Sequence, residues 1–301
     1  LAAGGRYALP CGRLLSTSGA AGCNAFTVLE RTITTADGVT LCASEDGAGI
    51  PVVLLHGLTA SRRYVVMGSR ALQRGGHRVV AYDARGHGAS SPAPDPEAYR
   101  YEDLGNDLAA VLDALEIERV VLAGASMGAH TILRLALEQP ERVAAIAVIT
   151  PAYDPVSNDD PERLARWDAL SDALRAGGVE GFVEAFAVQR LPEAWRDTVT
   201  KVMRQRLVLH EHPGALADAI SAVPRSRPFR DLHALAEIEC PAVVVASRDE
   251  ADPGHPLDIG ETYAELLPRG RLLVEEPGAS PLAWQGGRLS TVIAELAAEA
   301  W

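Results

Sequence analysis

Gly124-Ala125-Ser126-Met127-Gly128 stands between the short apolar run 120–123 and an amphipathic stretch that begins at Met127, and few folds accept that order. The run is too brief and too rich in valine for a helix, and reads as a fully buried strand. A strand that ends in glycine, doubles back at once and enters a helix needs a tight turn. The two glycines remove side chains where the backbone folds on itself. The serine between them is forced into a strained, exposed position at the tip of a sheet, facing a helix N-terminus. Ser126 is therefore the candidate nucleophile.

The flanking pattern extends this unit into a sheet. Val28, Glu30 and Thr32 alternate with their neighbours, Asp37-Gly38 supplies a turn, and 39–44 completes an antiparallel hairpin. Further short apolar runs at 51–56, 77–82, 143–149, 241–246 and 271–274 read as buried strands, with helical spacing over 61–74, 101–115 and 127–139 between them. This alternation predicts an α/β fold with a doubly wound, mostly parallel sheet. From about 152 to 228 it stops: 161–176, 181–189, 193–210 and 213–222 read as helices with no strand among them. The expected organisation is an irregular N-terminal arm over 1–25, a core formed by 26–151 and 229–301, and a helical cap over 152–228. A cap at that point in the chain would roof the carboxyl ends of the strands and exclude water.

Composition narrows the partners. The net charge of −12, with no lysine- or arginine-rich run, opposes binding to nucleic acid or to an anionic membrane surface. No apolar stretch approaches the roughly 18 residues that span a bilayer. Cys11, Cys23, Cys42 and Cys240 show no CxxC spacing and no neighbouring histidine, so a reduced, cytoplasmic setting is expected and a zinc or redox site is not. Without HExxH, a P-loop or GxGxxG after a strand, no metal or organic cofactor is expected, and a small molecule with water is the expected substrate pair.

Leu54-Leu55-His56-Gly57, then Tyr82-Asp83-Ala84-Arg85-Gly86-His87-Gly88-Ala89-Ser90, then the glycine-flanked serine resemble the α/β-hydrolase superfamily of esterases and related enzymes, over roughly 26–300. The resemblance implies that Ser126 is the nucleophile and that Asp83, Arg85 and His87 are scaffold. The serine sets the chain apart from haloalkane dehalogenases and epoxide hydrolases, which use aspartate there. His56-Gly57-Leu58 would lie beside the elbow once the strands pair, so the amides of Leu58 and Met127 would converge near Ser126 Oγ, where an oxyanion forms in acyl transfer.

The resemblance further implies an acid after the next-to-last strand, where Asp249 and Asp252 compete and the form Asp-x-x-His-Pro favours Asp252. It implies a histidine after the last strand, yet the loop 275–285 has none. A serine hydroxyl without a base is a poor nucleophile. His255 is one substitute, although it ordinarily begins the following helix; His210 or His212 could reach down from the cap. Glu275 and Glu276 close the last strand, where either could substitute for the base although solvated strand-end charges are the plainer reading, and His130 reads as a packed or surface residue. The expected activity is hydrolysis of a small carboxylic ester, thioester or lactone through Ser126 with an atypical base. The alternatives are a non-hydrolytic binding protein, or an acyl-transfer or lyase enzyme on the same scaffold.

Overall fold

The structure is a computed structural model that describes residues 28–279 and 283–301; the irregular arm expected over 1–25 lies outside the described residues. The described residues open with an antiparallel hairpin of β1 (Leu29–Thr34) and β2 (Thr40–Asp46), turned through Gly38 at φ +85°. Then follow β3 (Ile50–Leu55), the single-turn helix α1 (Ala71–Arg74), β4 (His77–Tyr82), α2 (Tyr101–Ala114), β5 (Val120–Ala125), α3 (Met127–Glu138) and β6 (Val143–Ile149). Three helices come next without a strand: α4 (Pro161–Ala185), α5 (Glu193–Leu207) and α6 (Pro213–Ala222). The chain ends with β7 (Ala242–Ala246), α7 (Leu257–Leu266), β8 (Gly270–Val274) and α8 (Gly286–Ala300).

The described strands form one eight-stranded sheet in the order β1-β2-β4-β3-β5-β6-β7-β8. Every pair from β4 to β8 is parallel, and the hairpin joins the edge through an antiparallel β2–β4 pair. β6 is buried along its whole length, as the continuous apolar run required. Pairing Leu55 with Gly124 sets the end of β3 beside the end of β5, so the segments that follow both strands emerge together at one sheet edge.

In two places the backbone departs from the helices that local sequence predicts. A helix was expected over 61–74, but Met67 and Gly68 both take positive φ and leave only a three-residue 3-10 turn and α1. The helices expected over 161–176 and 181–189 form one element kinked at Gly178, whose φ of 59° stands outside the helical range. No described helix is long and apolar enough to cross a membrane.

Candidate active site

Ser126 is the N-cap of α3 and holds φ 51°, ψ −112°, a conformation that costs a non-glycine residue about 1 to 3 kcal/mol. Its surroundings enforce the turn. A Cβ on Gly124 would overlap the Gly128 carbonyl, and one on Gly128 would overlap the Leu55 carbonyl, so both glycines are steric necessities. Ser126 N donates to Ile149 O at 2.9 Å and His130 N to Ser126 O at 3.1 Å, which ties the elbow to β6 and to the first turn of α3.

The loop after β3 presses against this elbow, since a Cβ on Gly57 would stand 3.4 Å from both Ala125 O and Ser126 Cβ. Its shape is fixed by two buried histidines. His56 Nδ1–H donates to Gly57 O at 2.8 Å while its Nε2 accepts from Ala84 N at 3.0 Å, and His87 Nε2 stands 2.7 Å from Leu58 O. The amides of Leu58 and Met127 have no acceptor among the described residues. Leu58 and Met127 also share an apolar cluster with Leu174, Phe182 and Leu207 of α4 and α5, the helices between β6 and β7.

The decisive geometry comes from the loop between β7 and α7. His255 Nε2 lies 2.8 Å from Ser126 Oγ, and its Nδ1 lies 2.8 Å from each carboxylate oxygen of Asp252. Both partners come from one turn, closed by His255 N donating to Asp252 O at 3.2 Å. His255 therefore precedes α7 and faces the elbow. Burial raises the Asp252 carboxyl, but the charge and hydrogen bond of His255, with the more distant Arg206, outweigh it and hold Asp252 below the usual carboxylate range.

The other sequence candidates are committed elsewhere. Asp249 Oδ1 accepts from Ala251 N at 2.9 Å and shapes the loop, and His212 occupies the N-cap position of α6 with no side-chain cap bond. His210 Nδ1 accepts from Gly88 N at 3.0 Å, and His130 Nε2 accepts from Ala152 N and Tyr153 N at 3.2 and 3.1 Å. Glu275 corrects an expectation outright: it is 2% exposed, not a solvated strand end. It accepts from Arg248 N and Ser247 Oγ on one oxygen and from Trp284 Nε1 on the other, while Trp284 Nε1 also reaches Ala246 O. Burial alone would raise the Glu275 carboxyl, and these donors hold it below its ordinary value. The segment expected to carry the histidine instead braces the start of the Asp252–His255 loop; residues 280–282 lie outside the described residues.

His56, His130 and His210 make a prediction about acid. Burial drives all three below the usual imidazole value, with His130 and His210 pushed down to about 3. Each ring uses a bare nitrogen as a hydrogen-bond acceptor, which protonation would abolish. Unfolded, each takes a proton below about pH 6.5, so their stabilisation is full above that pH and drains away as pH falls toward the folded values. Thermal melting from pH 7 to 4 is expected to show Tm dropping steeply below about pH 6, at up to ~1.4 kcal/mol per pH unit per histidine. A Tm flat across that range would refute it.

Against known proteins, a family model for the alpha/beta hydrolase fold matches residues 50–228. A protein of Variovorax paradoxus named as a candidate carbamate hydrolase, RutD, is 32% identical over 204 residues, 67% of this chain and 75% of its own. Bifunctional epoxide hydrolase 2 of Sus scrofa is 32% identical over 53% of this chain but only 29% of its own, so likeness reaches a class that the serine at the elbow had set apart. Among solved structures, a thermophilic esterase from Thermogutta terrifontis superposes with a TM-score of 0.73 at 24% identity, covering 91% of this chain and 99% of that one, which shows a shared fold.

Proposed function

Since the chain belongs to the α/β-hydrolase family, we propose that it is a serine hydrolase of small carboxylic esters, thioesters or lactones, whose acid and base both come from the loop after β7. The observation that carries this reading is the 2.8 Å contact between His255 Nε2 and Ser126 Oγ. His255 Nε2 takes the hydroxyl proton as Ser126 Oγ bonds to the substrate carbonyl carbon, and Asp252 holds the proton on Nδ1 and stabilises the imidazolium that forms. The carbonyl oxygen becomes an oxyanion between the Leu58 and Met127 amides, each such donor being worth about 3 to 4 kcal/mol.

Collapse of that intermediate expels the alcohol or thiol, which receives the proton from His255 and leaves an acyl ester on Ser126. Water, deprotonated by the same ring, then cleaves the ester and frees the carboxylic acid. The helices between β6 and β7 act in this reading as the cap, covering the Leu58 and Met127 side of the site and limiting water to the one that reacts.

The test is covalent. Incubation with a fluorophosphonate is expected to add one phosphonyl group to the protein, mapped to Ser126 by mass spectrometry, with labelling slowed by a short-chain para-nitrophenyl ester. An unlabelled Ser126 under conditions where the protein is folded would overturn the proposal.

A further inference from the structure

Arg206 stands in the last turn of α5 and lacks the hydrogen-bonded partners that the helix's Arg196 and Arg204 have. On the same helix, Arg204 forms a double hydrogen bond with Glu180, and Arg196 donates to the carbonyls of Leu191 and Gln189. Arg206 Nε is buried with no hydrogen-bond partner, and no carboxylate among the described residues pairs with its guanidinium. The guanidinium instead lies 5.2 Å from the ring centroid of Tyr64, whose hydroxyl donates to Gln205 O at 3.4 Å.

The position is informative. Tyr64 follows the 56–58 loop at one side of Ser126; Asp252, whose charge acts on Arg206, lies at the other. One turn beyond Arg206, His210 stands 3.5 Å from Thr59 O and holds Gly88 N, which fixes this end of α5 over the same loop. Asp252 acts on Arg206 through charge alone: no hydrogen bond or ion pair joins the two, and both Asp252 oxygens face His255 Nδ1. A partly buried guanidinium with no hydrogen-bonded carboxylate is costly to keep, and part of that cost is recovered when an anion bonds to it.

We infer that Arg206 is a specificity-determining residue that binds a carboxylate carried by the substrate, so that the natural substrate is an ester, thioester or lactone bearing a free carboxylate a few carbons from the scissile carbonyl. The planar fork of a guanidinium matches a carboxylate in shape and charge, and such contacts persist where a neutral chain offers only apolar surface. The inference rests on the serine-hydrolase reading for its chemistry, although binding of the anion does not.

Two substrates of equal acyl length decide it: mono-para-nitrophenyl glutarate and para-nitrophenyl pentanoate, each corrected for spontaneous hydrolysis. The ratio of their kcat/KM values is expected to favour the glutarate in the wild-type protein. In Arg206→Gln that ratio is expected to fall by about 10- to 100-fold, the worth of a charge-assisted hydrogen bond, with part of it kept in Arg206→Lys. A wild-type preference for the pentanoate would overturn the inference. So would an equal loss on both substrates in Arg206→Gln, which would reduce Arg206 to a charge neighbour of Asp252. A second measurement needs no turnover: calorimetric titration of glutarate into Ser126→Ala is expected to show saturable binding that disappears in Ser126→Ala/Arg206→Gln. Absence of binding to Ser126→Ala overturns the inference, whereas binding without turnover of either ester by the wild-type protein would uphold it and sink the hydrolase reading alone.

Discussion

His255→Ala is expected to lower kcat/KM on a para-nitrophenyl ester by about 10⁴-fold or more, leaving only what the oxyanion amides and binding supply. The expectation follows from how few alternatives the fold provides. His130 and His210 are buried, spend a ring nitrogen on backbone amides, and sit far below the imidazole range, while Glu275 is engaged by three donors. His255 alone among the sequence candidates reaches Ser126 Oγ, and Asp252 orients it through the other nitrogen. Fluorophosphonate labelling of Ser126 should slow in parallel, because both reactions need the same proton removed. Retention of activity within tenfold, in a variant with an unchanged melting temperature, would mean that another group serves as base.

The elbow was legible because its constraints are local: Gly124 and Gly128 are adjacent in sequence to the turn they permit, and the overlap a Cβ would cause involves Gly128 and Leu55, both at that same sheet edge. The strand alternation was legible for a similar reason, since burial on both faces writes continuous apolar runs into the chain. The contact at the other side of the site was harder to read. Nothing in Asp252-Pro253-Gly254-His255-Pro256 says that the turn folds so both side chains point toward the sheet edge rather than toward solvent, and spacing equally allowed His255 to begin α7. Glu275 gave the opposite impression from its true one because its burial depends on Trp284, brought over Ala246 by the chain's return after β8. Arg206 carried no signal at all, as sequence does not tell which arginine of α5 finds a carboxylate.

Asp107→Ala is expected to destabilise the fold by about 3 to 5 kcal/mol, the usual cost of removing one member of a buried ion pair. Arg85 is 2% exposed and Asp107 is fully buried; Arg85 Nε and Nη2 meet the two carboxylate oxygens at 2.8 and 2.7 Å. The pair clamps the loop after β4 to α2, and Nη1 adds bonds to Asp37 Oδ2 at 3.0 Å and Ala98 O at 2.9 Å. Truncating Asp107 leaves the guanidinium with those two contacts, the partly exposed Asp103 carboxylate at 3.9 Å and no fully buried counter-charge, and opens a cavity beneath the loop. For a chain of this size the loss corresponds to a drop of about 10 °C in Tm, measurable by calorimetry. It should also reach the active site, since two residues after Arg85 the same loop presents His87 to Leu58 O and so holds the residue whose amide is proposed to bind the oxyanion. The double variant Arg85→Met/Asp107→Leu separates charge from shape: it is expected to recover most of the stability, because replacing both partners removes the unpaired charge as well as the bond. A double variant no more stable than Asp107→Ala would show that the fold depends on the arginine's bonds to Asp37 and Ala98, and not on avoiding a stranded charge.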